Sequence, residues 1–186
     1  MRAVDPRTSS SLLNSVANLL DTAFPEDEKV PMEMLVSMCD ADGAHLDAFV
    51  ADPGDGTAEP GDFLGFSMWI SDGKKCYILY LAVDANRRSG GIGSRMLADI
   101  ASRCDNVPTV LEAESVHAEC DNLEQRLSRQ KFYERNGFTV APYRSIEYGV
   151  LYDIMQKAQV SPEEYIELKG LLFSDLAEHT EIIWPQ

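Results

Sequence analysis

The sequence predicts an α+β fold in which helices are layered about one central sheet. Two observations carry this. Helical periodicity opens the chain, and from His45 onward short apolar runs with strand texture are interleaved with further helical stretches. The size agrees, because 186 residues, 45% of them hydrophobic, suffice for one domain with a real core. Residues 1–186 read as a single domain, with N-terminal helices at 9–40, a core spanning 45–157 and an added C-terminal helix at 161–176.

Residues 9–23, SSSLLNSVANLLDTA, place Leu12, Leu13, Val16, Leu19, Leu20 and Ala23 on one helical stripe, and the serines before it can cap it. The pattern breaks at Pro25 and resumes as a second helix from Pro31, where proline suits a first turn. HLDAFVA and FLGFSMWIS read as strands, joined by DPGDGTAEPGD, whose Gly, Pro and Asp residues make a loop or hairpin connection. The near-continuous apolar run in KKCYILYLAVD is that of a central strand covered on both faces. SRMLADIASRC then reads as helix, VPTVLEAES as strand, and NLEQRLSRQKFYERNG as a helix closed by Gly137. FTVAPYRS and GVLYDIMQK complete the strands. In SPEEYIELKGLLFSDL, Ser161 and Glu164 have capping-box spacing and Pro162 takes the first helical position, which makes 161–176 a packing or lid helix.

Composition excludes several functions. A net charge of −15 repels nucleic acid phosphates and the anionic inner membrane surface, so neither partner is expected. No apolar run approaches the roughly 20 residues of a membrane span, and MRAVDPRTSSSLLN lacks a continuous apolar core with a cleavage site, so a cytoplasmic location is expected. Cys39, Cys76, Cys104 and Cys120 are scattered, and His45, His117 and His179 fall in no ligand spacing, which reads as reduced structural thiols and no metal. The charge is uneven: residues 87–135 hold eight of the sixteen Lys and Arg against eight acids, and the remainder holds eight against twenty-three. A locally neutral segment inside an acidic surface suits an anionic cofactor beside a cationic substrate.

That segment begins with RRSGGIGSRML at 87–97, set between a strand ending LAVD and a helix beginning near Gly93. Glycines there let successive backbone N–H groups converge, the helix N-terminus adds partial positive charge, and arginine supplies charge-assisted bonds at the rim. These are the parts of a phosphate cradle. A P-loop signature is absent, and a dinucleotide-binding fingerprint would need glycine where Met96 stands. Arg88-Ser89-Gly90-Gly91-Ile92-Gly93 matches another pattern: Gln or Arg, two free positions, Gly, one free position, then Gly or Ala. In order and spacing, YILYLAVDANRRSGGIGSRMLADI, TVLEAES and RQKFYERNGF resemble the acetyl-CoA-binding core of the GNAT-type N-acetyltransferase superfamily. The resemblance covers residues 45–157 and implies the acyl-CoA N-acyltransferase (GNAT) fold. That fold has a mixed, mostly antiparallel sheet of six or seven strands with a splayed pair at the cofactor site, and here its first strand must come from MRAVD.

The resemblance also implies roles for individual residues. Leu81 and Val83 would offer backbone groups to the cofactor, and its pyrophosphate would sit on the amides of Arg88, Ser89, Gly90, Gly91, Ile92, Gly93 and Ser94. Donors preset in this way need no reorganisation during reaction. Tyr133, ahead of Gly137 and Phe138, matches the family's tyrosine that donates to the departing CoA sulfur, and Phe132 is the better core candidate. A phenol of pKa about 10 stays protonated at neutrality and can protonate a thiolate. Arg126, Arg129 and Tyr133 share one helix face, with Arg129 a candidate for the cofactor phosphates; many relatives carry Asn where Arg126 stands.

Amine acylation further needs proton removal from a group of pKa about 10.4. Glu112 and Glu114 lie on the same face of a strand. Glu112 aligns with the glutamate that is the general base in some relatives, and burial must raise its pKa from about 4.3 for work near neutrality. Glu114 would share that role or bind the substrate cation. Glu26, Asp27 and Glu28 fall where the family's early helices border the acceptor pocket, with Glu28 a substrate-binding candidate. The implied activity is transfer of acetyl from acetyl-CoA to a primary amine of a small cationic molecule or a peptide N-terminus. The attack is direct, within a ternary complex. The reading from another class is a non-catalytic acetyl-CoA sensor or interaction domain. By analogy with the family, EYGVLYDIM is an edge at which a homodimer could pair.

Overall fold

The computed structural model describes residues 1–53, 59, 61–88 and 90–185. Its elements are β1 (Arg2–Val4), α1 (Ser10–Ala23), α2 (Met32–Met38), β2 (Ala44–Val50), β3 (Phe63–Ser71), β4 (Cys76–Val83) and α3 (Ile92–Arg103). There follow β5 (Thr109–Glu114), α4 (Leu123–Arg135), β6 (Thr139–Glu147), β7 (Val150–Lys157), α5 (Pro162–Leu172), α6 (Ser174–Glu178) and β8 (Thr180–Ile183). One mixed sheet has the strand order β1-β2-β3-β4-β5-β7-β6-β8. β4 and β5 run parallel, and β1–β2, β5–β7, β6–β7 and β6–β8 are antiparallel. The parallel ladder pairs Cys76, Tyr77 and Ile78 with Thr109, Val110 and Leu111, and β4 runs on to Val83. No helix among the described residues is long and apolar enough to cross a membrane.

Local chemistry explains most boundaries. Ser9 caps α1 by accepting from the Leu12 amide, and Ser161 and Glu164 form a complete capping box at α5 with Pro162 in its first turn. Gly137, at φ 86°, carries the chain out of α4. Pro142 cannot donate to a ladder, and the β6–β7 register shifts between Val140 and Arg144 around it. The β2–β3 connection is a hairpin closed by Ala51, whose amide donates to the Asp62 carbonyl and whose carbonyl accepts from the Gly61 amide. Residues 54–58 and 60 of that connection lie outside the described residues.

Three features at the C-terminal end differ from the sequence reading. EYGVLYDIM is no edge, because its strand β7 is paired on both sides, by β5 and β6. The sheet has eight strands rather than six or seven, because Thr180–Ile183 adds to β6 at the edge; four residues are too short for an alternation signal. The helix expected at 161–176 stops at Leu172. Phe173 is extended at φ −165°, and Ser174, a residue that favours helix starts, opens the separate α6.

The chain forms two compact units. The first comprises Met1–Trp69 and Leu79–Arg103, the second Ile70–Ile78 and Cys104–Gln186. In the first, Phe49, Ala51, Leu64, Ile92 and Met96 form a buried cluster against which Leu81 and Val83 pack. Asp47 is buried there and accepts from the Trp69 indole at 2.7 Å and the Arg103 guanidinium at 2.6 Å. In the second, Tyr77, Val110, Tyr143, Ile154, Met155, Tyr165 and Leu168 are all at most 1% exposed.

Gly65 on β3 marks a close approach within the first unit: a Cβ there would lie 2.3 Å from the Ala82 carbonyl oxygen, a distance no side chain tolerates. Gly65→Ala should therefore destabilise the protein by about 1–3 kcal/mol, read as a lower denaturant midpoint. It should also displace the end of β4.

Candidate active site

In the first unit, β4 leads directly into the glycine turn. The Asp84 amide donates to the Leu64 carbonyl at 3.0 Å, and the Asp84 carboxylate caps the short turn at Ala85–Arg87 by accepting from the Asn86 amide at 2.8 Å. Arg87 is held by Asp62 at 2.6 Å. Arg88, Gly90 and Gly91 are exposed, while Ile92 is 2% exposed and pins the start of α3 into the core. Gly91 sits at φ 70° with open space around its Cβ position, so the backbone conformation, not crowding, requires glycine there. Ile92, Gly93 and Ser94 open α3, so their amides have no acceptor within the helix. No acid lies in that first turn to neutralise its positive end. The donor set therefore suits an anion with several oxygens, such as a diphosphate. Ser89 lies outside the described residues.

The acidic connection between α1 and α2 is also anchored in the first unit. The Tyr80 hydroxyl donates to the Glu28 carbonyl at 2.6 Å and accepts from the Val30 amide at 2.9 Å, with the Phe24 ring 4.7 Å from its own. Lys29 pairs with Asp21 and Glu26. Glu28 thus stands on a clamped segment.

In the second unit, Tyr133 is 7% exposed and packs between Phe132 and Phe138, with ring centroids 5.2 and 5.8 Å away. Its neighbour Phe132 is only half-buried, so the deeper position belongs to the tyrosine rather than to Phe132. Burial pushes the Tyr133 phenol above its ordinary pKa, and the nearby Arg129 offsets part of this. Among the described residues its hydroxyl has no hydrogen-bond partner.

Glu114 is 7% exposed and clamped by both arginines of the α4 face: Arg126 at 2.6 Å and Arg129 at 3.0 Å. Arg126 further donates to the Asn122 side chain and the Ser115 carbonyl. The stripe of Arg126 and Arg129 thus meets a carboxylate of its own chain. Arg126→Ala would leave Glu114 buried with one partner, and we expect a loss of about 2–4 kcal/mol in denaturant unfolding.

Glu112 occupies a different setting. Its carboxylate accepts from Tyr77 at 2.6 Å, from Ser145 at 3.0 Å, from Tyr165, and from the Lys169 ammonium at 3.1 and 3.3 Å. Burial pushes its pKa up, but the Lys169 charge and the hydrogen bonds from Tyr165 and Tyr77 outweigh burial and hold it below the ordinary carboxylate value. The direction is opposite to the rise that a base near neutrality requires. Lys169 is wholly buried and also donates to Glu147, whose pKa is raised by burial and by the Glu112 charge.

Glu147, Tyr165 and Lys169 were not singled out from the sequence. One signal for them was present: Lys169 sits beside Leu168 on a helix whose buried positions also include Tyr165 and Leu172, and a cation on an apolar stripe implies buried partners. Among the described residues no group of three or more His, Cys, Asp or Glu could hold a metal ion.

Comparison with known proteins bears on both units. A family model described as an acetyltransferase (GNAT) domain matches residues 45–140. No curated protein sequence matches the chain. Among solved structures, a GNAT-family protein from Bacteroides thetaiotaomicron is similar at TM-score 0.68 and 22% identity, covering 94% of this chain and 95% of that one. Ard1 from Thermoplasma volcanium is similar at TM-score 0.62 and 19% identity, covering 86% and 97%. An aminoglycoside 6'-N-acetyltransferase complexed with coenzyme A is similar at TM-score 0.61 and 16% identity, covering 84% and 96%. These likenesses share the fold described above, and the match to residues 45–140, which runs from β2 through the glycine turn and α4, shows that the chain belongs to the GNAT acetyltransferase family.

Proposed function

We propose that the chain is an N-acetyltransferase that moves acetyl from acetyl-CoA to a primary amine by direct attack within a ternary complex. The observation that carries this is the exposure of Arg88, Gly90 and Gly91 ahead of α3, a helix without an acid in its first turn. Coenzyme A brings an activated thioester and a diphosphate, and the diphosphate matches in charge the free amides of Ile92, Gly93 and Ser94 at the start of α3, with the amides of residues 88–91 as proposed further donors. Leu81 and Val83 are the proposed backbone contacts on β4, and Arg129 a further cofactor contact.

In the transfer the amine nitrogen forms a bond to the acetyl carbon as the carbon–sulfur bond breaks. Tyr133 is the proposed proton donor to the departing sulfur. A buried phenol with a raised pKa keeps its proton at neutrality and has it available for a thiolate of pKa about 8.5. Glu112 is the proposed acceptor of the amine proton, ionised at neutrality because Lys169 and two tyrosines hold it so. The charge of −15 favours a cationic acceptor, and Glu28 is proposed to recognise it, whereas Glu114 is already clamped by Arg126 and Arg129. A polyamine, an amino-acid ester, an aminoglycoside and a peptide with a free N-terminus span the amines that fit this chemistry.

Calorimetry should detect coenzyme A binding to the wild type, and Gly91→Val should weaken it at least tenfold, since a β-branched residue disfavours positive φ. Thiol release from acetyl-CoA with the four amines should be amine-dependent in the wild type and roughly 100-fold slower in Tyr133→Phe. Coenzyme A binding with no amine-dependent release in either protein would favour the sensor reading.

A further inference from the structure

Glu112 poses a chemical problem for the function proposed above. It is ionised, but it is held below the ordinary carboxylate range, so on its own it is a poor proton acceptor near neutrality. The second unit contains the remedy. Lys169 Nζ bridges two carboxylates, bonding both oxygens of Glu112 and Oε2 of Glu147, and the Thr180 hydroxyl donates to that same Glu147 oxygen at 3.1 Å. The Lys169 side chain is 0% exposed, that of Glu112 11% and that of Glu147 13%. Two buried carboxylates against one ammonium leave a net negative charge in a poorly solvated space. Such a pair takes up one proton more readily than an isolated carboxylate does.

We propose that the proton acceptor of the acetyl transfer is the bridged pair Glu112–Glu147 rather than Glu112 alone, with Lys169 as the positioning residue that joins them. This rests on the acetyltransferase reading. The step balances without any further reagent, because the second proton that the nitrogen loses as the amide forms replaces the one that Tyr133 gives to the sulfur. The acceptor ammonium loses one proton and becomes the attacking amine. The Glu112–Lys169–Glu147 unit gains that proton, stored on Glu147, through exchange in which Lys169 gives a proton to Glu147 and takes one from Glu112. Release of this proton to solvent resets the pair.

The groups facing the pair come from every element packed on it. Lys169 and Tyr165 lie on α5, Tyr77 on β4, and Tyr143 on β6; Tyr148 lies in the turn beyond β6. All four phenols are raised, Tyr77, Tyr143 and Tyr165 chiefly by burial and the exposed Tyr148 chiefly by its hydrogen bond to Asp175, so none of them loses a proton in the range where the carboxylates titrate. Lys169 also lies over the Tyr165 ring at 5.2 Å and the Tyr77 ring at 5.9 Å, contacts that keep its charge between the carboxylates.

Thermal melting as a function of pH tests the pair without any substrate. Glu147 binds its proton more tightly folded than unfolded, so lowering the pH from neutrality toward the ordinary carboxylate range adds stability through this group. Glu112 binds its proton less tightly when folded, so its contribution is lost only below that range. Glu147→Gln, which keeps a hydrogen-bond acceptor for Lys169, should remove the gain between neutrality and that range. A gain unchanged from wild type overturns the proposal.

The second measurement is the pH profile of thiol release with whichever amine of the panel is accepted. In Glu147→Gln the acid limb should move by about one unit toward lower pH, and the rate at pH 7 should fall about tenfold. Lys169→Arg, which retains the charge, should keep the limb within a few tenths of a unit, while Lys169→Met, if folded, should move it the other way. Lower rates with an unmoved limb in Glu147→Gln are what a purely structural role produces, and they overturn this inference while leaving the acetyltransferase reading intact. No amine-dependent release from the wild type overturns that reading first, and this one with it.

Discussion

The second unit is organised around one buried ammonium. Lys169 has no access to water, and an uncompensated charge in that position would be prohibitive, so the surrounding elements are obliged to supply its partners. β5 supplies Glu112, β6 supplies Glu147 and Ser145, β4 supplies Tyr77, and α5 adds Tyr165 one turn before the lysine. The small strand β8 contributes the Thr180 hydroxyl that completes Glu147. The C-terminal extension therefore does more than cover apolar surface. It inserts the cation that allows two carboxylates to remain inside.

The same unit holds a second charge cluster built on the opposite principle. Glu114 is one carboxylate between two guanidiniums, whereas Lys169 is one ammonium between two carboxylates. The two guanidiniums beside Glu114 clamp that carboxylate in place. An excess of anion around Lys169 drives Glu112 and Glu147 apart in proton affinity, which is the arrangement by which a pair of like groups divides acid and base roles. Two residues apart on one strand, Glu112 and Glu114 thus have different chemistry, decided by what packs over each.

In the first unit the work is done by the main chain. Gly65 allows β3 to lie close to the Ala82 carbonyl, Gly91 takes a left-handed conformation, and Ile92 fixes the first turn of α3 against the core. Donors placed by backbone geometry are already oriented before a ligand arrives, so binding incurs little conformational entropy loss. The contrast is physical: an anion is served by rigid amides, while proton transfer needs titratable side chains in a tuned dielectric.

Much of this was legible in the chain itself. The apolar spacing of α1, the capping box at Ser161 and Glu164, the unbroken apolar run of β4 and the glycines at 90, 91 and 93 are local signals, each acting over a few residues, and each produced the expected element. β8, the break at Phe173 and the fate of Glu112 were not legible, because each depends on residues far away in the sequence. A four-residue strand exists only because β6 offers it an edge. The proton affinity of Glu112 was set by a lysine fifty-seven positions further on, which only folding brings within 3.1 Å. The sequence by itself determined most of the elements and the glycine turn proposed to hold an anion, since these follow from short-range periodicity and backbone conformation. The tertiary structure alone decided which buried charges face one another, since Coulomb interactions depend on distance in space and on exclusion of water, and neither is written in sequence spacing.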